Sequence, residues 1–263
     1  MLAEPILSLK QVTKRFGGLT VADQVSFDVP QGSRMALIGP NGAGKTTLFN
    51  LMSGVYPLDG GSIWLEGRQI DGLPSRQRIG AGLSRSFQNI RLMPHLSVIE
   101  NVMLGQHAQA SGLGDLMTPI LWQRAGRWRR MAIERLEAAG IHVHPDAEVS
   151  SLPYGVRKKI EVVRALMSRP RLLMLDEPAA GLNPRETAEL SAFLKDVAAD
   201  GVTLLVVEHD MSFVHDLCER TVVLNFGKLI YNGATRSVQD DAAVREAYLG
   251  SQRVAGDGGD RAA

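Results

Sequence analysis

The sequence predicts an α/β protein with a largely parallel sheet, a small antiparallel sheet near the N-terminus and a helical subdomain inserted in the middle. Three observations carry this. Short β-branched or apolar runs (MALIG, RLLMLD, TLLVVE, TVVLN) alternate with helix-like stretches, the rhythm of strands joined by crossover helices. Within the first seventy residues ILSLKQV, VSFDV and GSIWLEG alternate with period 2, as half-buried strands do. From about Asn89 to Ala165 strand signals fade and helical periodicity takes over, as in ENVMLGQHAQ and RWRRMAIERLEAAGI.

With 263 residues the chain holds one large domain, or one domain with an insert, and buries a substantial core. A formal charge of +1 with 22% charged residues lacks the basic excess of a dedicated nucleic-acid binder, so no nucleic-acid partner is expected. The single cysteine, Cys218, excludes an internal disulfide and fits a reducing compartment. Its place in the helical stretch MSFVHDLCER reads as a small buried apolar residue rather than a nucleophile. MLAEPILSLK is not the pattern of a signal peptide, and the longest apolar runs are too short to cross a bilayer. The expectation is a cytoplasmic protein that does not span a membrane by itself. The tail GSQRVAGDGGDRAA has little to bury and reads as disordered.

The strongest chemical signal is GPNGAGKTT: Gly39, Pro40, Asn41, Gly42, Ala43, Gly44, Lys45, Thr46 and Thr47. It follows the strand MALI, opens the helix KTTLFNLMSG and satisfies the phosphate-loop pattern G-x-x-x-x-G-K-[ST]. Glycines there let backbone N–H groups wrap a phosphate at a helix N-terminus. Lys45 is expected to reach the β- and γ-phosphates of a bound nucleotide and Thr46 to hold Mg²⁺. A chance match in a chain this long is on the order of one in a hundred, and the strand-before, helix-after context lowers that further.

Farther on, LLMLDEP is a buried strand ending in Asp176 and Glu177. Phosphoryl transfer needs a carboxylate to position Mg²⁺ and a group that orients or deprotonates the attacking water. Asp176 takes the first role here and Glu177 the second. Two acids at a strand end are weak evidence alone, since acids also cap the following helix; beside a phosphate loop they are good evidence. His209, in VVEHDM, ends another apolar strand, where α/β sheets place their ligands, and is a candidate to hydrogen-bond the γ-phosphate. His95, His107, His142, His144 and His215 read as structural or exposed, and HVH lacks the further ligands of a metal site.

Taken together these residues resemble the ATP-binding cassette (ABC) family, the motor subunits of ABC transporters, over nearly the whole chain. The resemblance rests on the phosphate loop, Gln88 in RSFQNIRL, a signature at 152–156, the pair Asp176–Glu177, the loop AAGLNP at 179–184, and His209. It implies a P-loop NTPase cassette with a RecA-like core. Residues 1–88 would form the nucleotide-binding core with its antiparallel β subdomain, and 89–165 the helical subdomain including the signature. Residues 166–249 would complete the core and 250–263 would be the tail. It also implies that Phe16 stacks on adenine, although a phenylalanine there also suits a core. Gln88 would link Mg²⁺ and the attacking water to the helical subdomain, joining Glu177 and His209 as catalytic residues. Closer wording, in RFGGLTVADQVSF, RSFQNIRLMPHLSVIENVMLGQH and MLDEPAAGLNPRET, is similar to the ATPases of branched-chain amino-acid importers. That group implies a second ATPase, two membrane permeases and, indirectly, a periplasmic substrate-binding protein, with this chain peripheral on the cytoplasmic face of the inner membrane. Relatives handling urea, short amides or aromatic acids look much the same.

In the family the signature LSGGQ of one ATPase covers ATP held by the phosphate loop of the other. Here it reads Leu152, Pro153, Tyr154, Gly155, Val156, and Pro153 has neither a hydroxyl nor an N–H. A hydrogen bond to a charged group is worth roughly 1.5–3 kcal/mol, so its loss weakens that site by ~10- to 150-fold unless a helix N-terminus at Tyr154 and Gly155 compensates. The defect falls on the partner's site, while Lys45, Asp176, Glu177 and His209 are intact, which points to an asymmetric heterodimer with hydrolysis on this chain's phosphate loop. Asn183 replaces a common aspartate and suits a helix cap ahead of Pro184. Arg124, Arg127, Arg129 and Arg130 with Trp122 and Trp128 read as a solvated helix face, or as a contact for anionic lipid or an acidic permease loop. Two other functions fit less of the sequence. A lipid or polysaccharide exporter ATPase shares the YLG ending at Tyr248, and a non-transport ABC ATPase would carry tandem cassettes or a coiled-coil insert.

Overall fold

The computed structural model describes residues 5–86, 92–108 and 119–248, with backbone alone at 107–108 and 119–125. The chain packs as two units, Met1–Leu73 with Thr203–Ala263, and Pro74–Val202. The expected disordered tail and Gln88 lie outside the described residues.

The first unit contains β1 (Pro5–Phe16), β2 (Leu19–Pro30), β3 (Arg34–Ile38), α1 (Lys45–Met52), β4 (Gly60–Leu65) and β5 (Arg68–Gln69). After residue 202 it adds β8 (Thr203–Val207), α7 (Met211–Leu217), β9 (Arg220–Asn225) and β10 (Lys228–Ala234). The period-2 segments form an antiparallel sheet ordered β2-β1-β4-β5. Its alternation buries Leu7, Leu9, Val25, Phe27, Val29 and Ile63 on the inner face. Gly17, at φ +57, supplies the left-handed residue between β1 and β2.

The continuous apolar runs form the other sheet of this unit, ordered β10-β9-β3-β8, with β3 parallel to both β8 and β9. Met35 to Ile38 and Leu204 to Val207 are buried throughout, which explains why these strands lack alternation. The sheet is mixed rather than wholly parallel: β10 returns antiparallel to β9, because the short turn through Phe226 and Gly227 leaves no room for a crossover.

The second unit contains α2 (Ser75–Gly80), β6 (Leu83–Arg85), α3 (Val98–Met103), α4 (Pro119–Ala138), α5 (Tyr154–Leu166), β7 (Leu172–Asp176) and α6 (Pro184–Ala199). Strands β6 and β7 are parallel, with Arg85 opposite Met174. Helices α3, α4 and α5 fall where helical periodicity is read from the sequence, and pack in one unit with these strands and α6.

Candidate functional site: a phosphate loop, an acid pair and a signature helix

In the first unit, β3 delivers the chain at Ile38 into residues 39–44, and α1 starts at Lys45. Two glycines are required by close approach. A methyl group at Gly39 (φ +151) would run into the carbonyl of Leu224, and one at Gly44 (φ +100) into that of Val21. Gly44 is the N-cap of α1 and brings no side chain to cap it, so the helix N-terminus is suited to an anionic ligand. Lys45 Nζ donates to the carbonyls of Gly39 (2.6 Å) and Pro40 (3.0 Å), which holds the ammonium along the loop. Thr46 is exposed on the first turn, with Thr47 half-buried beside it.

Two braces hold this loop. The amide of Gly227, in the β9–β10 turn, donates to the carbonyl of Ala43 at 3.0 Å. The hydroxyl of Tyr248 accepts from the amide of Gly39; burial pushes its pKa up, and that hydrogen bond opposes the shift. In the sequence this tyrosine stands out only through the YLG ending shared with lipid or polysaccharide exporter ATPases.

Phe16 ends β1 with 45% of its surface exposed, so it is not a core residue. Tyr56 meets it edge-on, with centroids 5.5 Å apart, and Lys14 Nζ lies 5.4 Å from the ring centroid. Asp59 fixes this corner by accepting from the Arg15 amide (2.6 Å) and Lys14 Nζ (3.0 Å). Those bonds, the Arg15 amide foremost, hold its carboxyl below the usual carboxylate range. His209 follows β8 with 66% of its side chain exposed, next to Glu208, which is 1% exposed. A Glu208 carboxylate oxygen accepts the His209 amide at 3.1 Å, tying the histidine's backbone to a buried acid.

In the second unit Asp176 is the last residue of β7 and is buried. Its Oδ2 accepts from Arg85 Nη2 at 2.7 Å. Glu177 stands at φ +48, an uncommon conformation for a non-glycine residue that must be held by its surroundings. Its carbonyl accepts from the Ala180 amide (3.2 Å) and from Lys158 Nζ (3.4 Å).

Pro153 is the N-cap of α5, without a side-chain capping bond, and the helix starts at Tyr154. Pro153 and Tyr154 are exposed, Gly155 is buried, and Leu152 and Val156 are half-buried. A methyl at Gly155 would strike the Glu186 carboxylate, and one at Gly181 would press on the Tyr154 ring, so the signature helix packs against the loop that follows the acid pair. Arg157 and Lys158 each lie 5.8 Å from the centroid of Tyr154. Asn183 is a helix cap: its Oδ1 accepts the amides of Arg185 and Glu186 (3.0 Å each), Glu186 returns a bond to the Asn183 amide, and Pro184 takes the first turn.

Asn101 was missed by sequence reading. Fully buried, it accepts the Met93 amide (2.7 Å) and donates to the carbonyls of Met93, Leu96 and Ser97 (3.0, 3.2 and 3.0 Å), shaping the loop that follows residue 91. Of the basic aromatic cluster, Arg129 bonds Asp146 at 3.0 Å and Arg127 lies 5.4 Å from the ring of Trp128, the pattern of a solvated helix face. The side chains of Trp122 and Arg124 lie outside the described residues. Cys218 is buried, and burial pushes its thiol up to about 12.

The Thr46 hydroxyl and the Asp176 carboxylate are each hard oxygen donors, the kind that suits Mg²⁺. Among the described residues no helix is long and apolar enough to cross a membrane.

Comparison with known proteins matches these features to one family. Residues 22–180 match the family described as ABC transporter. The chain is 39% identical over 253 residues to the high-affinity branched-chain amino acid transport ATP-binding protein LivG of Salmonella typhimurium, covering 95% of this chain and 99% of that one. It is 38% identical, with the same coverage, to the corresponding protein BraF of Pseudomonas aeruginosa. Among solved structures, the ADP conformation of MJ1267, an ATP-binding cassette of an ABC transporter, superposes with a TM-score of 0.82 at 27% identity, covering 94% of this chain and 100% of that one. A nucleotide-free cassette from an ABC transporter gives 0.81, also at 27% identity, over 93% and 99%. The chain belongs to the ABC transporter family and has the fold of its ATP-binding cassettes.

Proposed function

We propose that this chain is the ATP-hydrolysing motor subunit of an importer for branched-chain amino acids or closely related small polar solutes. The observation that carries the reading is a complete phosphate loop and acid pair in a chain 38–39% identical, over 95% of its length, to branched-chain amino acid transport ATP-binding proteins.

Phe16 stacks on the adenine. The amides of residues 42–47 and the Lys45 ammonium bind the phosphates, where the α1 N-terminus favours negative charge. Thr46 and Asp176, with Gln88, would hold Mg²⁺, which would supply charge neutralisation for the transferred phosphoryl group. Glu177 orients a water for in-line attack on the γ-phosphorus and takes up its proton as the bond to the β,γ-bridging oxygen breaks and ADP leaves. His209 donates a hydrogen bond to the γ-phosphate.

The partners are a second ATPase with a complete signature and two membrane permeases served by a periplasmic binding protein. The helical subdomain, residues 89–165, faces the permeases at the cytoplasmic surface of the membrane. Its loop of residues 92–97, organised by Asn101 and exposing Met93, passes the motion on. Pro153 leaves the partner's site the slower one. Mild-detergent purification of the chain from native membranes, with mass spectrometry of what accompanies it, tests the assembly. Two permeases with a second ATPase are expected; recovery with no permease overturns the transport reading.

A further inference from the structure

The Arg85–Asp176 pair has a consequence for metal loading. The two side chains are only 9% and 3% exposed, so little water compensates the carboxylate and the guanidinium carries that task. The arginine is also delivered rigidly. It ends β6, in parallel register with Met174 on β7, and the next amide, Ser86, donates to the Met174 carbonyl at 2.9 Å. The partners are 91 residues apart in sequence, so this is a tertiary arrangement rather than a local turn.

Mg²⁺ needs the same carboxylate, takes oxygen ligands at about 2.0–2.1 Å and tolerates little distortion. A guanidinium and a divalent ion on one small buried carboxylate repel each other, with little solvent to screen them. We propose that Arg85 is a positioning residue, a resident cation that holds the Asp176 carboxylate in place before nucleotide arrives, and that Mg²⁺ displaces it. Loading the metal then releases the end of β6 from the Asp176 carboxylate. The inference rests on the reading of Asp176 as the Mg²⁺ carboxylate.

The test is the thermal midpoint of the full chain with saturating ADP, in EDTA and in Mg²⁺, for the wild type, Arg85→Met, Arg85→Lys and Asp176→Asn. Removing the resident cation is expected to lower the midpoint in EDTA. It is also expected to enlarge the increment that Mg²⁺ adds, by several degrees in Arg85→Met and by less in Arg85→Lys. A purely structural arginine would lower both midpoints equally. Should Arg85→Met not fold, the increment in Arg85→Lys decides. Increments no larger than the wild type's overturn the displacement and leave Asp176 as the metal carboxylate, provided Asp176→Asn abolishes the wild-type increment. An increment that survives in Asp176→Asn overturns both readings.

Discussion

Lys158 Nζ donates to the carbonyl of Glu177 at 3.4 Å, and the glutamate it holds stands in the left-handed region at φ +48. Lys158 is 4% exposed and sits beneath Tyr154 of the signature. The signature helix therefore supports the glutamate proposed as the general base. Arg157→Ala, beside it on the same helix, removes no such bond. Lys158→Met is expected to lower kcat for ATP hydrolysis by roughly tenfold with little change in KM, and Lys158→Arg to recover most of it. Steady-state kinetics on the assembled transporter checks this; an effect on KM alone would contradict it.

Asn101 makes four hydrogen bonds to the backbone of residues 93–97 from a fully buried position. Asn101→Ala leaves buried amide and carbonyl groups unsatisfied, which costs about 2–4 kcal/mol. The expected outcome is a lower unfolding midpoint, with faster amide exchange in residues 92–97 and weaker stimulation of hydrolysis by transported solute.

Cys218 gives a clean reporter of unfolding. Burial raises its pKa to about 12, so at pH 8 the folded thiol stays protonated and only about one part in ten thousand is thiolate. Alkylation at pH 8 is expected to be negligible in the native chain and to follow the denaturant transition. Rapid labelling of the native protein would contradict the burial.

Much of this was legible in the sequence because it is local. The phosphate loop is contiguous, Gly39 and Gly44 are diagnostic of the close approaches that demand them, and the Asn183–Pro184 cap is written in adjacent residues. Strand type was legible from period: β1 and β2 alternate, while β3, β7 and β8 carry continuous apolar runs (residues 35–38, 172–175 and 204–207) because they are buried. What escaped depends on register and distance. Arg85 meets Asp176 only because β6 lies beside β7, and nothing in RSFQ marks its arginine. Lys158 reads as one of several basic residues in GVRKKIEVV, and only packing shows it buried. Tyr248 reaches Gly39 from the far end of the chain. The antiparallel return of β10 depended on a turn, Phe226–Gly227, that carries only one of the usual turn residues.

The most direct test of the central claim, that this chain's phosphate loop is the principal hydrolytic site, is ATP turnover by the assembled transporter carrying Glu177→Gln in this subunit, or the matching substitution in the second ATPase. The account predicts near-complete loss of turnover, on the order of a hundredfold or more, for Glu177→Gln and a smaller loss for the other. Equal losses would remove the asymmetry assigned to Pro153, and turnover that survives Glu177→Gln would contradict the claim itself.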